Sequence, residues 1–364
     1  MLNITRGSIR DSLDIIWAIA SKDIVDALKN RVVVPMIIML SVMLLLPKML
    51  PLIFEQPQIA LPVYDIGDSH LIEELKNNPE VTVQKLRSDQ ELRSVLCGAV
   101  YPLIGFVIPA DFDMGLAAGE QIEFQGYVCW SKRNQVSEVL PKFEGILSQA
   151  LGRPVIIQIE GNIVYPPSDG VLFLSLATVN SVLLIMMMGI FLVPSLLFEE
   201  KETKTMQALL VSPASIGQVV VGKALAGLFY ILVAAAILFG ISWSEVIHWD
   251  MAILFVIGGS LFSVAVGLML GSFFEKQQDT IGWMSVLLLL MVGSVLVKML
   301  DVQLPAFLKS ILPWIPSVAL AEICRVTFSE FVPVNQVWIN LGIILTVALP
   351  LYTIVIWKVR CSDR

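Results

Sequence analysis

Long runs without a charged side chain dominate the hydrophobic pattern of the chain. A helix that crosses a bilayer needs about 20 apolar residues, because the hydrocarbon core is about 30 Å thick. The windows that meet or approach this length are 32–47, 172–198, 224–244, 251–274, 280–297 and 331–357. The first window is followed by Lys48 and is interpreted as part of a span at 32–55, interrupted at Pro47 and Pro51. The pattern predicts six transmembrane helices.

The basic residues fall mainly on one side of these spans. Segments 1–31, 199–223, 275–279 and 358–364 together hold 12 Lys and Arg residues, whereas the short loops on the other side hold 4. Because cytoplasmic loops of membrane proteins are enriched in Lys and Arg, we expect a multi-pass protein with both termini in the cytoplasm.

The segment between the first two spans, 56–170, has the pattern of a soluble domain outside the cytoplasm. Short apolar strands alternate with helical stretches, and Ser88 followed by Glu91 predicts a capped helix start. We therefore predict a small α/β domain. It holds 15 acidic and 8 basic residues, so its net charge of −7 equals that of the whole chain. A solvated surface is the simple interpretation, and a vestibule that concentrates cations is the alternative.

Two of the four cysteines, Cys97 and Cys129, lie in this domain. A disulfide can form outside the cytoplasm, but the sequence does not show whether the two Cα atoms are within bridging distance. Two separate buried thiols are the preferred interpretation, with a disulfide as the alternative. No Cys or His spacing typical of a metal site occurs, so we expect no metal.

The N-terminal segment, 1–31, predicts an amphipathic helix. Apolar residues recur at every third or fourth position, as one face of a helix requires, at Ile9, Leu13, Ile16, Ala20, Ile24 and Leu28. Because the helix leads directly into the first span, we expect it to lie along the cytoplasmic interface of the membrane. It serves either as a plain anchor or as a lever that a cytosolic partner moves.

Segment 301–330, between the last two spans, is too apolar for a free loop and too interrupted for a span. It is divided by Pro305, Pro313 and Pro316. We expect a broken hairpin of short helices that enters the outer leaflet and is covered by protein there. The functional interpretation is an outer gate near these three prolines.

Composition agrees with a membrane protein and excludes several other classes. Hydrophobic residues make up 56% of the 364, charged residues only 15%, and the mean hydropathy is +0.80. Such a chain is not disordered, does not bind nucleic acid and is not an ordinary cytosolic enzyme. The spans lack the ionisable residues that ion-coupled carriers use, so we expect the energy for any transport to come from a partner.

Residues 217–224 nearly match a phosphate-binding P-loop, but we interpret the match as accidental. The motif needs a Ser or Thr hydroxyl for Mg²⁺ directly after its lysine, whereas Ala224 follows Lys223. No Ser, His and Asp set for nucleophilic catalysis is evident either. We therefore expect no catalytic residue, no enzyme activity and no cofactor in this chain.

The cytoplasmic stretch after the second span, 199–213, combines charge with a short apolar patch. A charged interface anchor is its simple interpretation, and a short helix that docks into a cytosolic motor is its functional one. The residues considered for this docking are Glu199, Glu200, Lys201, Glu202, Thr203, Lys204, Thr205, Leu209, Leu210 and Pro213.

This stretch resembles the signature of type-2 ABC transporter permeases, in which a Glu-basic-Glu element precedes a Thr and a Leu-Leu-Val-Ser-Pro run. Residues 200–202 match the element, and Thr205 with 209–213 match the run, while Lys204 stands where the family usually has glycine. The predicted architecture of nearly the whole chain is similar as well. The resemblance extends to the NatB-like, drug-export class of prokaryotic plasma-membrane proteins.

The resemblance implies one membrane half of an ATP-driven exporter. Two permease subunits, identical or different, would form the translocation path in the lipid bilayer. Two separate ABC ATPase subunits would bind ATP and Mg²⁺ and would contact residues 199–204 and the start of the third span. The transported substrate stays open.

Two other functions also stay open. A membrane-tethered binding or receptor protein would place its function in 56–170, although a single span would then suffice. The second alternative is a channel or carrier that works without ATP.

Overall fold

The structure, a computed structural model, combines a small α/β domain with a bundle of long apolar helices. It describes residues 6–28, 35, 38–39, 41–42, 45, 59–79, 81–99, 101–118, 123–159, 161–165, 172–202, 215–300, 302, 304–329 and 332–362. The predicted first span at 32–55 lies outside the described residues, apart from isolated helical positions between 35 and 45. The protein is a polytopic α-helical membrane protein, as the sequence predicts.

A helix near the N-terminus, α1 (Arg6–Leu28), precedes the α/β domain. The elements of the domain are β1 (Ile59–Asp65), α2 (Leu71–Lys76), β2 (Val81–Leu86), α3 (Asp89–Gly98), β3 (Gly105–Ile108), α4 (Phe112–Ala118), β4 (Glu123–Cys129), α5 (Val136–Leu151), β5 (Ile156–Gln158) and β6 (Ile163–Val164). The Ser88 hydroxyl accepts the backbone N–H of Glu91 at 3.1 Å, which confirms the predicted cap of α3.

The strands form one mixed sheet in the order β2-β1-β3-β4-β5, with β6 also paired to β4. β1 is parallel to β2 and β3, β4 is antiparallel to β3, and β5 and β6 are parallel to β4. Alternate residues of the strands point into a core, where Leu61 and Val63 pack near Phe106, Phe124 and Phe143. This alternation is the period-2 pattern that the sequence displays.

A disulfide joins Cys97 of α3 to Cys129 at the end of β4, with Cα atoms 5.1 Å apart. The preferred interpretation of two separate thiols was therefore wrong. Helix α3 packs against the sheet so that its last turn lies beside β4 in a second small core with Leu92 and Leu96. Closing a chain segment of this length stabilises a fold by about 3–4 kcal/mol.

The membrane bundle follows the domain. Its elements are α6 (Leu172–Met187), a π-helical turn (Met188–Leu192), α7 (Val193–Glu202), α8 (Ile216–Ile241), α9 (Trp249–Phe273), α10 (Gln277–Met299), α11 (Ala306–Ile311), a 3-10 turn (Leu312–Trp314), α12 (Pro316–Thr327) and α13 (Val334–Ser362). Among the described residues, five stretches are long and apolar enough to cross a membrane: α6 with α7, α8, α9, α10 and α13.

The α8–α9 turn (242–248) touches the α/β domain, because Arg133 of the domain donates to the carbonyl of Ser244 at 2.8 Å. We call this the domain end of the bundle, and the opposite end, where α7 finishes, the coupling end. α11 and α12 meet at an angle of 70°. Thr327 of α12 returns to the domain end, where its carbonyl accepts the N–H groups of Ile247 and His248. These contacts describe a hairpin that enters and leaves at the domain end.

Helix α9 occupies the centre of the bundle. It contacts the second span, α8, α12 and α13. About 67% of α9 is buried, and 78% of the second span that packs on it, against 22% for α10 and for α13. Small residues on α9 let its neighbours approach closely. A Cβ atom on Gly267 would overlap the backbone oxygen of Gly189, and one on Gly271 would lie 2.5 Å from the side chain of Leu197. We call this contact, formed by Gly189, Leu197, Gly267 and Gly271, the glycine seam.

The π-helical turn Met188–Leu192 lies beside this seam and has a local cause. Pro194 has no N–H, so the carbonyl of Ile190 cannot accept the usual α-helical hydrogen bond from it. A wider turn just before the proline accommodates the loss without breaking the span. The span therefore has a change of helical geometry at the level where it packs against α9.

The glycine seam makes a testable prediction. Gly267→Ala adds a methyl group where there is no room, and overpacking of this kind costs about 1–3 kcal/mol. We expect the purified variant to have a lower melting temperature in detergent than the unaltered chain, with unfolding measured by tryptophan fluorescence. Gly293→Ala on α10 is the matched control, because a Cβ atom there meets nothing within 4 Å. Equal melting temperatures for the two variants would contradict the close contact.

Candidate functional site

The predicted docking segment begins on a described helix. Backbone atoms of Glu199, Glu200, Lys201 and Glu202 form the last turn of α7, so this charged run continues the second span as a helix. The other predicted docking residues lie outside the described residues, and these are Thr203, Lys204, Thr205, Leu209, Leu210 and Pro213. The glycine seam connects α7 to the centre of the bundle, and Phe198, just before the charged run, is fully buried.

The chain re-enters the bundle at a well-defined helix start. Ser215 caps α8 by accepting the N–H of Gln218 at 3.3 Å, and the Gln218 side chain accepts the N–H of Ser215 at 2.9 Å. The P-loop-like residues 217–224 lie within this continuous helix. A phosphate cradle needs a loop whose N–H groups are free, so the interpretation as an accidental match is confirmed.

Helix α1 packs along the first half of α8 rather than standing alone at an interface. Gly222 allows this, because a Cβ atom there would lie 2.8 Å from Ile19. Two turns further along α8, the Tyr230 hydroxyl donates to the backbone carbonyl of Ile24. These two contacts fix the N-terminal helix to the third predicted span.

A buried ion pair strengthens this junction. Lys223 of α8 lies 3.0 Å from the carboxylate of Asp23 in α1, and their side chains are 2% and 8% exposed. Burying either charge without its partner would cost free energy, and the opposite charge offsets part of that cost. The sequence alone does not single out Asp23, since only the long-range packing of α1 on α8 reveals its partner.

The three prolines of the predicted gate lie at helix starts in the domain-end hairpin. Pro305 precedes α11, Pro313 lies within the 3-10 turn, and Pro316 is the first residue of α12. Proline is tolerated at these positions because the first N–H groups of a helix have no partner within it. α11 is exposed throughout, whereas almost every residue of α12 is buried. The structure thus gives the hairpin one exposed limb and one packed limb.

Polar contacts hold the packed limb, α12, against α10. The Ser317 hydroxyl donates to the carbonyl of Met291 at 2.8 Å. Nearer the domain end, Glu322 of α12 lies 2.7 Å from Lys298 of α10 and 2.7 Å from Arg325 of its own helix. Lys298 and Arg325 are two of the four basic residues on this side of the spans, and the sequence does not predict that they share an acidic partner.

The acidic α/β domain neutralises part of its charge locally. Lys85 of β2 donates to Asp68 and lies 3.5 Å from the buried carboxylate of Asp65, which also accepts the N–H of Ser69. The hydrogen bond and charge of Lys85 lower the pKa of Asp68, and Asp68 in turn raises the pKa of Lys85. In the part of the chain that the structure describes, no group of three His, Cys, Asp or Glu side chains is placed to hold a metal ion.

Comparison with known proteins identifies the family. Residues 32–357 match the model of one protein family, described as ABC-2 family transporter protein. The chain belongs to this family. A search of curated proteins gave no match. Family membership and the apolar helices make the chain a membrane permease of the ABC transporter class, in agreement with the resemblance of residues 200–213 to the permease signature.

The contribution of the buried ion pair to stability can be tested by replacing its two partners. Asp23→Leu or Lys223→Met alone removes one partner of the buried pair, and such changes cost about 3–5 kcal/mol. Replacing both partners, with Asp23→Leu and Lys223→Met, removes both charges and is expected to restore most of the loss. Melting temperatures of the four proteins in one detergent test this. A double variant as unstable as the sum of the two single variants would refute the pairing.

Proposed function

We propose that this permease is the membrane subunit of an ATP-driven exporter. In this proposal it pairs with a second, identical or different, permease subunit around the translocation path. Two separate ABC ATPase subunits bind ATP and Mg²⁺, and this chain contributes no catalytic group or cofactor site. Membership of the ABC-2 family and the signature-like run after α7 support the assignment.

The main support for the proposal is a continuous series of packed helices that leads from the charged run into the bundle. α7 ends in the run at 199–202, and its buried face packs on α9 through the glycine seam. A displacement of this run by an ATPase would therefore move α7 and α9 together. Because the helices are close-packed, such a displacement is transmitted rather than absorbed.

The other contact to the motor is the start of the third span, α8. Its first turns carry α1 through the buried pair of Lys223 and Asp23. In this mechanism α1 acts as a lever rather than only as an anchor, because it shares the movement of α8. ATP binding drives the cycle only if the ATPase contacts favour one arrangement of these helices over the other.

The gate in this mechanism is the domain-end hairpin with Pro305, Pro313 and Pro316. α9 touches α12 directly, so movement of the central helix reaches the packed limb of the hairpin. The contacts of Ser317 and Glu322 with α10 would then have to rearrange as the path opens. The residues of the other limb, α11, are exposed.

Charge reversal tests the coupling contact. We expect Glu200→Lys with Glu202→Lys to reduce co-purification with the partner ATPase about tenfold or more, since like charges placed at a contact cost several kcal/mol. Stimulation of ATP hydrolysis should fall in parallel. Glu275→Lys, an exposed acidic residue in the α9–α10 loop at the same end, is the control. Undiminished binding of the double reversal would exclude this contact.

We further propose that both termini are cytoplasmic and that 56–170 lies outside. The Lys and Arg bias supports this topology, and so does the disulfide of Cys97 with Cys129, since disulfides persist mainly in oxidising compartments.

The topology can be tested with the free cysteine in the last turn of α13. Cys361 is exposed, whereas Cys324 is buried. A membrane-impermeant thiol reagent should leave Cys361 unlabelled in intact cells and label it after lysis. Arg153→Cys, at an exposed position of the α/β domain, should be labelled in intact cells. The reverse pattern would show an inverted orientation.

A further inference from the structure

An apolar groove runs between α8 and α9 on the surface of the bundle and reaches the domain end. Its volume is about 500 Å³, within the range of small-ligand sites. One face of each helix lines it, including Leu232, Ala236, Phe239, Trp243, Trp249 and Ile253. Small residues such as Ala236 leave room between the larger ones, so the surface is concave rather than flat.

The dimensions of this groove fit one leaflet of a bilayer. Between Leu232 and Gly240 it follows about 12 Å of α8, at 1.5 Å per residue, and it continues past the helix end to Trp243. Half of a hydrocarbon core is about 15 Å. The rings of Trp243 and Trp249 lie where the groove reaches the domain end, with centroids 4.5 Å apart, and Trp243 is 66% exposed. Tryptophan favours the depth of lipid headgroups.

The guanidinium group of Arg133 lies beside this end of the groove, since it contacts the residue that follows Trp243. The Nη1 atom of Arg133 donates to the carbonyls of Ser244 and Trp130, both at 2.8 Å, and its guanidinium carbon lies 3.7 Å from the centroid of the Trp130 ring. All these partners are neutral. No described carboxylate forms an ion pair with Arg133. Glu245 of the same turn is 7% exposed and already engaged within the protein.

We propose that the groove binds one anionic phospholipid from the leaflet at the domain end. An acyl chain lies between α8 and α9, and the phosphate accepts charge-assisted hydrogen bonds from the remaining N–H groups of Arg133. The lipid then bridges the α/β domain and the α8–α9 turn, where Arg133 already makes a direct contact. This proposal does not depend on ATP coupling.

Quenching of tryptophan fluorescence by brominated lipids tests the site. The full chain is placed in nanodiscs that contain brominated phosphatidylglycerol or brominated phosphatidylcholine at equal mole fraction. We expect the anionic lipid to bind about fivefold more tightly, the factor expected for one basic residue at a membrane surface. The selective part of the quenching should disappear in Trp243→Phe with Trp249→Phe, because those rings report on the groove.

Four variants separate charge from packing. Arg133→Gln should reduce the lipid preference to about one, Arg133→Lys should retain most of it, and Arg153→Gln, a distant surface change, should leave it intact. Ala236→Phe fills the groove and should reduce quenching by both lipids. Equal quenching of the unaltered protein by the two lipids would overturn the proposal. So would a preference that survives Arg133→Gln or quenching that Ala236→Phe leaves unchanged.

Discussion

The contact between the second span and α9 sets the arrangement of the membrane bundle. Gly189, Gly267 and Gly271 bring the two helices together so closely that added methyl groups would overlap neighbouring atoms. In a bilayer, lipid tails compete with apolar side chains, so close packing of small residues drives helix association. The seam places the charged end of α7 on a helix that contacts α12 and α13, and therefore connects the coupling end with the hairpin.

Polar contacts add specificity to a bundle that is otherwise apolar. Lys223 and Asp23 fix α1 to α8, and Glu322 with Lys298 fixes the packed limb of the hairpin to α10. Polar groups in this environment need a partner, so each pair defines one register of its two helices. The two pairs lie toward opposite ends of the bundle, at the two places that the proposed export mechanism has to move. In that proposed mechanism the first pair belongs to the lever and the second to the gate.

Local patterns in the sequence predicted much of this structure. The spans from 172 onward were predicted because charge-free windows of this length are typical of transmembrane helices. The helix cap at Ser88 was predicted because it depends only on residues close to it in the sequence. Contacts between distant segments were not predictable in this way. Asp23 looks like any acid on an amphipathic helix until α1 is placed on α8, and the disulfide depends on how α3 packs against β4.

The central claim is that α7 and α9 move as one unit under the force of an ATPase. Spin labels at Ser195 of α7 and Ser272 of α9 can report on it in the complex with the ATPase. Electron paramagnetic resonance should give the same distance between these labels with and without trapped ATP, while the distance from Ser195 to its counterpart in a paired identical subunit changes. A shift between the two labels within one chain, or a fixed distance between subunits, would contradict the account.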